Sequence, residues 1–312
     1  MKKIINTIIV MLTLTTLFLT GCGSAPQRSD DAVRVLTSTS ILADIAQHVA
    51  GDRLQVDSLL PIGSDPHAYQ AAPSDVAKIA ESDLLILNGV EYEHFIEPLL
   101  ENAGGERIII EATAGLEPHP AGGHADETEA GTGSGHEAGD PHMWLDPNLV
   151  ITYVENIRDG LIQVDADGAE IYRANADTYI ARLKDLNAWI VEQVNTVPAE
   201  SRLLVTNHEA MGYFAERYGF EVVDTILPSF SSEASASAQE IVAAVEAIKS
   251  SGAPAIFLGE VENSDLANQI ASETGVKVVD TLYLESLTDG DPVPTYIDMM
   301  KHNVTQIVKA LK

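Results

Sequence analysis

The chain has 312 residues, with 18 lysines and arginines against 47 aspartates and glutamates, for a formal net charge of -29. That length suits two domains, each able to bury a core, and a hydrophobic content of 45% excludes a disordered chain. So acidic a chain shows no evident basic face for nucleic acid and is excluded as an electrostatic binder of anionic lipid; small cations are the ligands its field favours, although acidity alone also serves solubility.

At the N-terminus, Lys2 and Lys3 precede an uncharged, largely apolar run over residues 4–19. The run is short for a spanning helix and matches the hydrophobic region of a signal peptide. It ends in Leu19-Thr20-Gly21-Cys22, which resembles the lipobox of bacterial lipoproteins. That resemblance implies a signal peptide over residues 1–21, lipid on Cys22 and a flexible tether over 22–31. The mature chain is then expected outside the cytoplasmic membrane and held to it by lipid. Cys22 is the sole cysteine, so no intramolecular disulfide can form.

Beyond the tether, short β-branched runs alternate with amphipathic helical patterns, which predicts parallel α/β units. Strands are expected at residues 33–37, 54–60, 84–87 and 107–110, then at 203–206, 221–225, 255–258 and 276–280. Helices are expected at 41–50, 74–81, 92–102 and 148–161, then at 210–218, 237–250, 264–273 and 295–311. The fold class is therefore α/β, with two lobes, 32–165 and 199–312, each carrying a roughly four-stranded parallel sheet. Between them, Ile171, Tyr179, Ile180, Leu183, Leu186, Ile190 and Val194 recur at helical spacing, and no Gly or Pro intervenes between Gly168 and Pro198. This predicts one long, stiff linking helix within 166–198, about 45 Å at 1.5 Å per residue.

One segment breaks the pattern. Residues 117–140 are rich in Gly, acids and His119, His124 and His136, with almost no large apolar side chain. It reads as a solvated loop in which those three histidines form an auxiliary, weak metal-collecting set.

Nucleotide-loop, zincin and nucleophile-elbow motifs are absent from the sequence, so the chemistry falls to histidine. His67 and His208 follow predicted strands, His142 follows the acidic loop, and Asp280 closes a strand. Ligands of open α/β sheets sit at the carboxyl ends of strands. Facing lobes would bring these four groups into one cleft, a full tetrahedral set for a divalent metal. Any one of them alone reads more readily as a hydrogen-bonded surface or core residue or, for Asp280, as a turn or helix-cap residue. Glu209 and Glu260 lie close in sequence to the same positions, where helix-start and strand-end roles also suit them.

The motifs around these residues carry a resemblance. Asp65-Pro66-His67-Ala68-Tyr69 with Pro73-Ser74-Asp75, then Asp140-Pro141-His142-Met143-Trp144-Leu145-Asp146-Pro147, then His208-Glu209-Ala210-Met211-Gly212-Tyr213-Phe214 and the Val279-Asp280 strand end occur in this order. From residue 33 onward the chain is similar to the TroA-like zinc/manganese-type solute-binding lipoproteins of bacterial metal ABC importers. The resemblance implies two α/β lobes bridged by a rigid helix, with His67, His142, His208 and Asp280 as metal ligands. It also implies a monomer that is no enzyme, captures its metal outside the cytoplasm and delivers it to a membrane permease. Three imidazoles and one carboxylate favour Zn(II) as the transported ligand, with Mn(II) or Fe(II) the alternative. A secreted zinc hydrolase is the competing class, and would need an open coordination position beside a general base.

Overall fold

Residues 32–120 and 139–312 are described in a computed structural model of the chain. The signal peptide, the tether, Cys22, His124 and His136 lie outside them. The chain divides into Met1–Ala32 and Val33–Lys312, and every element below belongs to the second unit.

Strands β1 (Val35–Thr37), β2 (Val56–Ser58), β3 (Leu84–Leu87) and β4 (Ile108–Glu111) form a parallel sheet in the order β2-β1-β3-β4. Val35 pairs with Val56 on one side and Leu84 on the other, and Leu84 pairs with Ile108. Strands β5 (Leu203–Thr206), β6 (Glu221–Thr225), β7 (Ala255–Gly259) and β8 (Lys277–Leu282) repeat the arrangement as β6-β5-β7-β8. Central strands β3 and β7 are buried along their whole length, as unbroken apolar runs covered on both faces require.

Parallel strands need crossovers, and helices supply most of them. In the first lobe these are α1 (Ser40–Ala50), α2 (Pro73–Ala80) and α3 (Ile96–Ala103), followed by α4 (Val150–Val164). After α5 (Ala169–Val194), the second lobe has α6 (Gly212–Tyr218), α7 (Ala238–Ser251), α8 (Asp265–Thr274) and α9 (Tyr296–Leu311). Local signals fix the ends. The Thr39 side chain accepts from the Leu42 amide at the start of α1, and Ser237 with Glu240 forms a capping box on α7. Helix α3 starts four residues later than the periodicity suggests. Val90 and Glu91 have φ near +55°, and the buried Glu93 carboxylate holds residues 88–93 as a loop, accepting from Ser38 Oγ (2.6 Å) and the Asn88 amide (2.5 Å).

Helix α5 has 26 residues and runs about 39 Å. Tyr172, Ala176, Tyr179, Leu183, Leu186, Ile190 and Val194 form its buried stripe, while Ile171 is exposed. It packs on α1 and α4 of the first lobe and on α9 of the second. The cores differ from the expectation of one per lobe. A single large cluster runs from Val35 and Ile45 through Leu183 and Leu186 to Phe257 and Ile307. Smaller outer clusters lie around Leu59 and Ile79 in the first lobe and around Ile256 and Ile270 in the second.

Candidate metal centre

The carboxyl ends of both sheets deliver side chains to one place. His67 sits in the loop after β2, and His142 immediately precedes a 3-10 turn (Met143–Leu145) that leads into α4. His208 lies two residues beyond β5, and Glu285 three residues beyond β8. One ligand atom from each of these four lies within 4.8 Å of all the others. His142, His208 and Glu285 are buried and His67 is half-buried.

Asp280 is not among them. Strand β8 runs to Leu282, two residues further than the sequence suggests, which leaves Asp280 inside the strand with its side chain exposed. The carboxylate that reaches the imidazoles is that of Glu285. Its signal was present in the run Tyr283-Leu284-Glu285-Ser286-Leu287, an acid between apolar residues just past a strand. A group two or three residues beyond a strand can turn into the cleft, whereas one within it is committed to a face of the sheet.

Hydrogen bonds orient the rings. Asp140 Oδ1 receives both the His142 amide (2.9 Å) and Nδ1 (2.8 Å), which turns Nε2 inward. Glu262 Oε1 lies 2.5 Å from His208 Nδ1, directing that Nε2 inward as well. Asp65 Oδ1 accepts from the His67 amide at 2.9 Å, and its Oδ2 accepts from Ser232 Oγ of the other lobe at 2.6 Å. Glu285 Oε2 accepts from Tyr92 OH at 2.5 Å. Glu285 Oε1 accepts no hydrogen bond and faces His208 Nε2 at 3.4 Å and His142 Nε2 at 3.7 Å.

The electrostatics follow from this packing. Burial alone would raise the Glu285 carboxyl, but the His208 ring beside it and the charges of all three imidazoles outweigh it and hold it at about 2. Burial would likewise depress His208, yet Glu262 and Glu285 raise it to about 10. Burial dominates at three further acids, raising Asp65 and pushing Glu93 up to about 7 and Glu260 up to about 8. Converging nitrogen lone pairs beside a dry anionic oxygen are a donor set for a divalent cation, which would replace the proton that His208 otherwise carries.

The histidine of the acidic segment that is described, His119, stands apart from this centre. Its Nε2 pairs with Glu216 (2.7 Å) and its ring stacks on Tyr213 with centroids 4.0 Å apart. With Asp140 and Glu209 it lines a cavity of about 270 Å³. Asp140 is thus at once the partner of His142 and part of that cavity's wall.

A family profile described as ZnuA, zinc-uptake complex component A periplasmic, matches residues 35–310. The manganese-binding lipoprotein MntA of Halalkalibacterium halodurans is 34% identical over 100% of this chain and 99% of its own length. The iron-binding protein YfeA of Yersinia pestis is 33% identical over 91% and 88%. Among solved structures, the periplasmic zinc binding protein TroA of Treponema pallidum superposes with a TM-score of 0.79 at 26% identity, over 90% of this chain and 99% of that one. A Mn-bound periplasmic metal binding protein of Candidatus Liberibacter asiaticus gives 0.77 at 30% identity, over 90% and 100%. With two matching four-stranded lobes and a profile match along nearly all of Val33–Lys312, the chain belongs to the ZnuA/TroA family of metal-binding substrate-binding proteins of ABC transporters.

Proposed function

We propose that this protein captures a divalent transition metal outside the cytoplasm, between its two lobes, and hands it to the permease of an ABC importer. The observation that carries the proposal is the meeting of His67, His142, His208 and Glu285 within 4.8 Å in a largely buried setting. Four side-chain donors fill a tetrahedral shell, which suits holding a metal rather than activating a water on it. The metal is cargo. Lipid on Cys22 would hold a monomeric carrier near its permease, and Cys22→Ser should then leave the membrane fraction.

For the metal itself we favour Mn(II) or Fe(II) over the Zn(II) that the imidazole count first suggests. The support comes from relatives named for manganese and iron at 33–34% identity along most or all of the chain, and from a neighbour solved with manganese bound. The zinc reading keeps two supports of its own: the family description and the TroA structure both name zinc, and three imidazoles suit that ion. Metal analysis of protein purified without chelator, followed by competition among Mn(II), Fe(II) and Zn(II), separates them. Stoichiometric manganese or iron is the expected result. Zinc retained at one per chain and undisplaced by either would restore the zinc reading, and no retained metal would overturn the function.

A further inference from the structure

The second lobe contributes two of the four converging groups, His208 and Glu285, and the strand between their strands ends in two carboxylates. β7 lies between β5 and β8 and runs into Glu260 and Glu262. Glu262 reaches toward the β5 side. Its Oε1 sits against His208 Nδ1 at 2.5 Å, and its Oε2 accepts from the Gly259 amide, which fixes the carboxylate to the end of its own strand. Glu260 reaches toward the β8 side. Its Oε2 accepts from the Leu284 amide and its Oε1 from the Ser286 amide, both at 2.9 Å, so one carboxylate brackets Glu285 front and back. The bracketed loop continues to the first lobe, where Ser286 Oγ accepts from the Gly63 amide at 2.7 Å and Ser40 Oγ accepts from the Leu287 amide at 3.0 Å.

We infer that Glu260 and Glu262 are a paired positioning device. From one turn they set the ring of His208 and the loop of Glu285, so that the second lobe presents both donors as a single preformed unit. Neither residue belongs to the donor set itself. A histidine whose far nitrogen is held by a carboxylate keeps its orientation and donor strength, and losing such a partner commonly costs about 10–100-fold in metal affinity. A loop whose two flanking amides share one carboxylate cannot rotate its central residue without breaking both bonds.

The inference rests on the metal-binding reading, so the test is built to tell the two apart. Metal affinity is measured by competition titration with Mn(II), or with Zn(II) if the wild-type protein retains zinc. Two double-mutant cycles are run: Glu262→Leu with His208→Ala, and Glu260→Leu with Glu285→Ala. Each Leu variant should lose about 10–100-fold in the wild-type background and lose almost nothing further once its own ligand is gone. Glu262→Gln, which keeps an acceptor toward Nδ1, should recover most of the affinity lost by Glu262→Leu. If a Leu variant fails to fold by circular dichroism, the corresponding Ala variant takes its place in the cycle. Equal losses in both backgrounds would mean a general structural role and overturn the inference. Absence of binding by the wild-type protein would overturn the metal-binding reading, and this one with it.

Discussion

His142 and His208, carried by different lobes, bring their Nε2 atoms to 3.3 Å of each other. Glu262 and Glu285, beside the His208 ring, keep it protonated to about pH 10 in the metal-free protein. Metal binding must expel that proton. Affinity should therefore rise about tenfold per pH unit from about pH 7 to about pH 9, with about one proton released per metal. Calorimetry in buffers of different ionisation enthalpy measures the proton directly. A pH-independent affinity would refute the assignment.

The same groups set how metal-free stability responds to pH. The value of His208 is raised from 6.5, so its contribution is complete below 6.5 and lost as pH rises through about 10. That of Glu285 is lowered from 4.5, so its contribution is complete above 4.5 and lost as pH falls through about 2. Glu93 and Glu260, raised to about 7 and about 8, favour folding below 4.5 and progressively less as pH climbs to those values. The metal-free protein should accordingly resist urea better at about pH 5.5 than at about pH 8.5. The reverse order of midpoints would contradict this.

Removing one donor should be far more damaging than removing its neighbour on the strand. Glu285→Ala, like His67→Ala, His142→Ala or His208→Ala, should weaken metal binding by more than about 100-fold, beyond the range for merely supporting residues. Asp280→Ala should change it by less than about twofold, since its side chain is exposed and lies outside the converging donor set. A large loss in Asp280→Ala, measured by the same competition titration, would restore the original ligand set.

The segment between residues 120 and 139 can be tested by excision. Its described flanks are already tied together, with the Asp140 amide donating to the His119 carbonyl at 2.9 Å. Deleting residues 121–138 should leave Asp140 and His142 in place and the tight equilibrium constant nearly unchanged. Weak extra sites should vanish with His124 and His136, which the deletion removes. Loss of the tight site in the trimmed protein would give the segment a structural role instead.

Most of the fold was legible because parallel strands and their helices announce themselves by periodicity. β3, β5 and β6 span the residues expected from the apolar and β-branched runs, and the stripe on α5 follows the apolar spacing. The misses share one cause: loops have no period. The late start of α3 depends on the Glu93 carboxylate and two residues of positive φ. The sequence places the end of β8 two residues short, which puts Asp280 rather than Glu285 at the strand end. The histidines were recoverable, each being marked by a proline one residue before it or an asparagine (Pro66, Pro141, Asn207) at a turn. Asp65 and Asp140 sit two residues before His67 and His142 and inside the same motifs, but the partner of His208 was not recoverable, since Glu262 meets it across 54 positions of sequence.

The large cluster that joins Val35 to Ile307 through helix α5 has a consequence for how this molecule comes apart. Neither lobe can shed its partner without baring the shared apolar surface to water, a cost proportional to the area uncovered. Heating should therefore give one calorimetric peak whose van't Hoff and measured enthalpies agree. Half-length fragments cut at α5 should aggregate rather than persist as separate soluble halves. The cleft between the lobes would then belong to a body that melts as a whole.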